Sequence, residues 1–365
     1  MKPLNITIIS STPYAPPWSE GVRNLYRRMA HDFIQRGARI TVIGTGSPTA
    51  ITRGDAGELV INVPPIAPKW IRGIAQSRVW LATAWSVYWL DPEPDVMLLG
   101  ASVTSALGLR TSLLKIGSRR PLVLYITGLG RPRMGYRWGL NADRVLVGNE
   151  FLQQWFPGAG IIHPFLPINV TRDSVSQKKQ DDTFNVLFLG SFDPMRGVEY
   201  LLQAMALVTE RTERRVKLII AWNGEGIDNY GNILRLIETL GIHPIVDLRG
   251  SVDTSMIYHE ADILVIPRAS QERMAFPVRI LEALHMRKPM VVTRICGMED
   301  LVEECGLAVE PRDADGMARA ILNLVHDETL LNQLEVNCER VAKRFDSRLS
   351  LDKLFNELST IADNE

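Results

Sequence analysis

Two stretches of this chain open in the same way, and that duplication limits the folds available to it. Asn5–Ser10 (NITIIS) is a short apolar, β-branched run, followed by a proline-containing loop, Gly21 and an amphipathic stretch Val22–Gln35. Asn185–Gly190 (NVLFLG) is again an apolar run, followed by a proline-containing loop, Gly197 and a helical stretch Val198–Glu210. Strand, loop, helix is the opening unit of a parallel, doubly wound sheet. More apolar runs follow in each half: Arg39–Ile43, Val60–Val63, Val96–Leu99, Leu122–Ile126 and Arg144–Gly148, then Lys217–Ala221, Ile245–Leu248, Ile263–Pro267, Met290–Thr293 and Leu307–Val309. Short apolar runs alternating with longer helical patterns predict strands buried on both faces.

The expected fold is therefore α/β, with two Rossmann-like doubly wound domains facing a central cleft. The first covers residues 1–170 and the second 184–345. A polar linker over 171–183 (TRDSVSQKKQDDT) joins them, and a helical tail over 346–365 packs back on the first domain. Leu349, Leu351, Leu354, Leu358 and Ile361 are the expected buried face of that tail. A length of 365 residues suits two such domains. With 46% hydrophobic and 22% charged residues, the chain is neither disordered nor a disulfide scaffold.

Three cysteines suit a reducing compartment and give no metal-ligand spacing. The N-terminal apolar run is too short for a signal peptide, and Val79–Leu90 is too short to span a bilayer. A cytoplasmic protein is expected. Its zero net charge hides an asymmetry: residues 1–170 carry 18 Lys+Arg against 9 Asp+Glu, and the remainder 23 against 32. A basic half can face anionic lipid, an anionic acceptor or nucleic acid, or simply be solvated. The surplus is dispersed and matches no nucleic-acid-binding module. Pro68–Leu90 mixes four tryptophans and a tyrosine with Lys69, Arg72 and Arg78. It reads either as a helix lying on a membrane surface or as an aromatic core helix or acceptor-pocket wall.

The chemistry is densest in Ala269–Cys296 (ASQERMAFPVRILEALHMRKPMVVTRIC). Pro277 suits the first turn of a helix beginning near Val278, whose free N–H groups make an anion site. Arg279 adds a positive charge there, and Glu282 lies one turn on, placed to accept hydrogen bonds from a sugar or ribose. Asp313-x-Asp315 has the look of a metal-binding pair, but it precedes a helical stretch, which predicts capping instead.

FPVRILEALHMRKPMVVT resembles the signature of the retaining GT-B glycosyltransferases of the group 1 family (family four). So do NVLFLGSFDPMRGVEYLLQAM, PYAPPWSEGVRNLYRRMAHDFIQRGARITVIGTG and ADRVLVGNEFLQQWF, in the family's order. The resemblance implies a glycosyltransferase that moves a sugar from a nucleotide-diphosphate donor to a glycan or lipid-linked acceptor. It implies no cofactor beyond the nucleotide-sugar co-substrate and no metal. Glu282 matches the second of the family's paired glutamates, which holds the donor ribose. Arg196 matches the basic residue on the donor diphosphate, and Gly21 the glycine of the N-terminal loop. Asn223 falls in a glycine-containing turn near the donor, and Val252 where main chain meets the base. Met274 stands where the first paired glutamate belongs, with Glu272 two residues earlier as its substitute and a catalytic candidate. Ser191 replaces the usual arginine after the strand-end glycine, and Thr127–Gly130 stands where many relatives carry an acceptor-side histidine. These departures keep open two rival readings, a nucleotide-sugar epimerase or phosphorylase and a catalytically silent binding subunit. A peripheral site at the inner membrane face fits a lipid-linked acceptor.

Overall fold

The computed structural model describes residues 3–10, 14, 21–45, 50–63, 83–103, 107–129, 140–166, 182–222, 226–250, 252, 254–269, 274–275, 278–294 and 299–363. The chain divides into two units. The first is Met1–Ile168 with Arg273–Phe276 and Asp346–Glu365, and the second is Asn169–Glu272 with Pro277–Phe345. Of the linker expected over 171–183, only residues 182–183 are among those described.

In the first unit the strands are β1 (Asn5–Ser10), β2 (Arg39–Thr45), β3 (Ala50–Arg53), β4 (Leu59–Val63), β5 (Val96–Val103), β6 (Leu122–Leu129), β7 (Arg144–Val147) and β8 (Gly160–Ile161). They lie in the order β3-β4-β2-β1-β5-β6-β7-β8. All pairs along this path are parallel except β3–β4. The helices are α1 (Gly21–Gln35), α2 (83–88), α3 (Leu107–Gly117) and α4 (Glu150–Trp155). Side-chain alternation fixes what covers each face. Ile6, Ile8, Leu98, Val123 and Tyr125 pack under α1, while Ile9, Met97, Leu99, Leu124 and Ile126 pack under α3. The apolar runs that predicted strands also predicted their burial on both sides. β3 was missed because three of its four residues are exposed, as befits an edge.

The second unit has β9 (Phe184–Gly190), β10 (Val216–Trp222), β11 (Val246–Arg249), β12 (Ile263–Ile266), β14 (Met290–Thr293) and β15 (Gly306–Val309), all parallel in the order β11-β10-β9-β12-β14-β15. Met274–Ala275, which belong to the first unit, form a two-residue β13 that pairs antiparallel with β6. The helices are α5 (Val198–Arg211), α6 (Tyr230–Thr239), α7 (Thr254–Glu260), α8 (Val278–His285), α9 (Glu299–Cys305), α10 (Ala314–His326) and α11 (Glu328–Ala342). Strand order reverses at β1/β5 in the first unit and at β9/β12 in the second, the doubly wound pattern. The duplication extends to one detail. The Asn5 N–H donates to Asp95 Oδ2 at 2.8 Å and the Asn185 N–H to Asp262 Oδ2 at 2.6 Å, each aspartate lying just before the strand across the reversal.

The last helix, α12 (Ser347–Asp363), belongs to the first unit. Leu351, Leu354 and Leu358 are fully buried beside Phe33, each burial contributing about 1.5–3 kcal/mol. Arg144 grips Glu357 with two hydrogen bonds of 3.0 and 3.1 Å, and Arg36 meets Asp352 at 2.6 Å. Ile361 is partly buried at the edge of the same cluster. Leu349 corrects the expected face: it is 57% exposed, because it falls two residues before Leu351, a spacing that points away from the stripe of a helix.

Candidate functional site

In open sheets of this kind the ligand crevice lies outside the strand carboxyl ends at the reversal, which in the second unit means the turns after β9 and β12. Ser191, directly after β9, is buried at 3% exposure. Asp193 accepts from the Met195 N–H at 2.9 Å and caps a single helical turn, Pro194–Arg196. Gly197 ends that turn with φ of 72°, and a Cβ there would collide with the Pro267 carbonyl. The Ala269 N–H donates to Met195 O at 3.1 Å, tying the turn after β12 to the turn after β9. On the other side, Gly226 (φ 75°) packs against the Phe192–Asp193 backbone, and Asn229 Nδ2 donates to Phe192 O at 3.0 Å. The turn that carries Arg196 is thus wedged between two neighbouring turns. Arg196 itself is exposed and makes no side-chain hydrogen bond or ion pair among the described residues. A fixed backbone under an uncommitted cation is suited to meet an anion.

Val278 is the first residue of α8, and its side chain is half-buried. Arg279, the expected positive charge at the helix start, is paired: its Nη1 donates to Glu282 Oε2 at 2.8 Å. The three-residue spacing puts both on one helix face. Glu282 is 3% exposed, and Tyr258 of α7, fully buried, donates to the same Oε2 at 3.1 Å. Glu282 Oε1 has no partner among the described residues. Burial pulls the Arg279 pKa down, but Glu282 and Tyr258 reverse this and leave it raised. Burial first, and then the Glu282 carboxylate, push the Tyr258 hydroxyl well above its usual range, so it stays a donor. The result is a neutralised carboxylate with one oxygen fixed and the other open, an arrangement that can accept a hydroxyl hydrogen bond without repelling a nearby anion.

Val252 is half-buried in the turn after β11. Arg249 at the end of β11 pins that turn, bonding Asp247 at 2.8 Å and Glu260 of α7 at 2.8 and 3.0 Å. Glu260 and Asp247 together raise the Arg249 pKa. Gly21 is the first residue of α1, in the first unit. Asn223 and Glu272 lie outside the described residues. Asp313 caps α10, accepting from the Gly316 N–H at 2.8 Å, and Asp315 pairs with Arg211 and Arg319, as capping predicted.

Sequence reasoning missed several residues. Tyr258 lies 24 residues from Glu282, with no local pattern to link them. Arg268, 8% exposed in the turn after β12, had a signal in being a charge directly behind a buried strand. In the first unit, the Tyr14 backbone N–H donates to Asn62 Oδ1 at 3.0 Å and its carbonyl accepts from Asn62 Nδ2 at 3.2 Å, while its hydroxyl donates to buried Glu58 at 2.6 Å. His31, Asp55 and Glu58 come close enough to share a cation. Their oxygens are committed instead: Arg27 and His31 hold Asp55, and Tyr14 and the Ala56 N–H hold Glu58.

Residues 183–327 match the family model described as glycosyl transferases group 1. An uncharacterised glycosyltransferase of Methanocaldococcus jannaschii is 32% identical over 153 residues, 40% of this chain and 37% of that one. D-inositol 3-phosphate glycosyltransferase 2 of Catenulispora acidiphila is 30% identical over 174 residues, 45% of this chain and 40% of that one. The matched stretch thus spans about two fifths of each of these relatives. In fold, the chain is similar over 99% of its length to a sucrose-phosphate synthase from Thermosynechococcus elongatus (TM-score 0.79, 18% identity, all of that chain covered). It is similar over 98% to Anabaena HepE, solved with UDP and glucose (TM-score 0.75, 17% identity, all of that chain covered).

Proposed function

Because residues 183–327 match the group 1 glycosyl transferases and the chain has the GT-B fold, we propose that it transfers a sugar from a nucleoside-diphosphate donor to a glycan or lipid-linked acceptor, with retention of configuration. The observations that carry this reading are an Arg196 with no side-chain partner among the described residues, on a wedged turn after β9, and a Glu282 on α8 whose Oε1 has no partner among them.

Glu282 Oε1 accepts from the donor ribose. Arg196 and the N–H groups at the start of α8 neutralise the charge that grows on the departing diphosphate as the glycosidic bond breaks, electrostatic stabilisation that needs no reorganisation. Arg279 acts at one remove, as the counter-ion of the Glu282 carboxylate. Ser191, Val252 and Asn223 line the donor, and Glu272 is the catalytic candidate nearest in sequence to the missing first glutamate. Gly21 is the first-unit residue that the family resemblance assigns to the donor, and the same unit takes the acceptor. Attack comes from the face the leaving group vacates, the acceptor proton passing to the departing phosphate oxygen. With a cation and a helix start doing this work, turnover is expected to survive EDTA. A lipid-linked acceptor brings the enzyme to a membrane surface, and among the described residues no helix is long and apolar enough to cross one.

The test is thermal stabilisation by UDP, GDP, ADP and dTDP, followed by transfer assays with the sugar nucleotide of whichever base binds. A nucleotide at 100 times its dissociation constant adds about 2.7 kcal/mol. One base should stabilise the wild type, less so Glu282→Gln, and Arg196→Ala should lose about a hundredfold or more in kcat. Stabilisation by no nucleotide, or wild-type turnover in Arg196→Ala, would overturn the reading.

A further inference from the structure

Among the described residues of the first unit, one apolar face has nothing packed over it. In α2, Thr83, Ala84 and Val87 point inward at 0–6% exposure, while Trp85, Tyr88 and Trp89 stand 65, 62 and 66% exposed. These three positions share one helix face by their spacing. Their rings touch one another at centroid distances of 5.4–6.2 Å. Beside them, at the end of α3, Ile116 is 81% exposed. The two helices are fixed close together, since a Cβ on Gly117 would lie 2.5 Å from the Ala84 carbonyl. A groove of about 700 Å³ runs along this junction, lined by Tyr88, Trp89, Leu90, Ile116 and Arg119. Three aromatic side chains about two-thirds exposed leave roughly 400 Å² of apolar surface in water, a patch of the size that marks an interaction site.

Charge says what kind of surface covers it. Residues 59–142 contain ten Lys and Arg against three acids, Asp91, Glu93 and Asp95. Residues 59–90, which include α2, contain no acid at all. Around the patch, Glu93 is paired with Arg120 at 3.2 Å and Asp143 with Lys115 at 3.0 Å. Arg119 is exposed and its side chain has no partner among the described residues. Tryptophan and tyrosine with arginine are the residues that settle at the boundary between lipid headgroups and acyl chains. A flat sugar ring would need an open aromatic face, whereas these rings meet edge-on or tilted (31–88°).

We infer that Trp85, Tyr88, Trp89 and Ile116, with Arg119 at their edge, form the face by which this protein rests on an anionic lipid bilayer. The aromatic rings enter the headgroup boundary and the arginine meets lipid phosphate. Lipid binding needs no donor, so it can fail while the glycosyltransferase reading stands, and the reverse.

The full chain should co-sediment with vesicles of phosphatidylcholine containing about one third phosphatidylglycerol, and at least tenfold less with phosphatidylcholine alone. Added salt should weaken the binding. Trp85→Ala/Trp89→Ala should lower partitioning at least tenfold while thermal stability stays within a few degrees, because neither ring is packed in the core. Arg119→Glu should lower it on anionic vesicles only. Brominated acyl chains should quench wild-type tryptophan emission more than that of the double variant. Failure to bind either vesicle would overturn the inference, as would binding unchanged in the double variant. So would a dimer, seen by light scattering, that the double variant abolishes, since the face would then belong to a second copy of the chain.

Discussion

Replacing Arg279 by Met strands the Glu282 carboxylate. In the wild type that carboxylate, 3% exposed, shares Oε2 between a guanidinium at 2.8 Å and a tyrosine hydroxyl at 3.1 Å. Methionine keeps much of the stem but leaves only Tyr258 to balance a buried charge. Breaking a buried pair from one side costs about 3–5 kcal/mol. Arg279 retains 26% exposure, so water screens part of the loss and about 2–3 kcal/mol is expected. For a unit of this size that is a fall of roughly 4–12 °C in Tm. A charge stranded in a buried site loses its cost once it is protonated, so the deficit against wild type should shrink on acidification. Adding Glu282→Gln removes the stranded charge, so the double variant should recover part of the loss. The assay is a double-mutant cycle by thermal and urea unfolding at several pH values. Additive losses, or a deficit independent of pH, would refute the view that Arg279 serves Glu282 and would return it to the diphosphate.

Three further outcomes follow from the fold. Gly197→Ala forces a Cβ against the Pro267 carbonyl at positive φ, and should cost about 1–3 kcal/mol and displace Arg196, read as lower Tm and lower kcat together. Leu354→Ala in α12, fully buried, should cost about 2–5 kcal/mol, measured by urea unfolding. Burial alone would raise the Asp55 pKa, but Arg27 and His31 overcome it and hold the carboxyl near about 2, below its usual 3.8. Its stabilising contribution is full above about pH 4 and is lost as pH falls toward 2, so Asp55→Asn should flatten the acid limb of the stability profile over that window.

The strands and their order of appearance were legible because each central strand is buried on both faces and so reads as an unbroken apolar run. β3 and β8 were not, being four and two residues long at a sheet edge. The α10 cap was legible because an aspartate ahead of a helical pattern has a local explanation. The partnership of Arg279 and Glu282 had a sequence signal in its spacing of three, but spacing alone does not say whether the guanidinium turns toward Glu282 or toward the helix start. Tyr258 had none, because its contact with Glu282 exists only once α7 and α8 pack. Likewise, residues 85, 88 and 89 announced an aromatic helix face, but only three-dimensional packing decides whether such a face turns inward or outward.

The position of α12 bears on the order in which the protein is made. Ile6, Ile8 and Phe33 emerge from the ribosome early, yet the leucines that cover them, Leu351, Leu354 and Leu358, come more than 300 residues later. At typical synthesis rates the wait is roughly 15–60 s. Through that interval the nascent first unit shows an unfinished apolar flank, while the second unit is being synthesised. Chaperones would find their substrate there, and a premature stop near residue 346 would damage the part of the protein translated first.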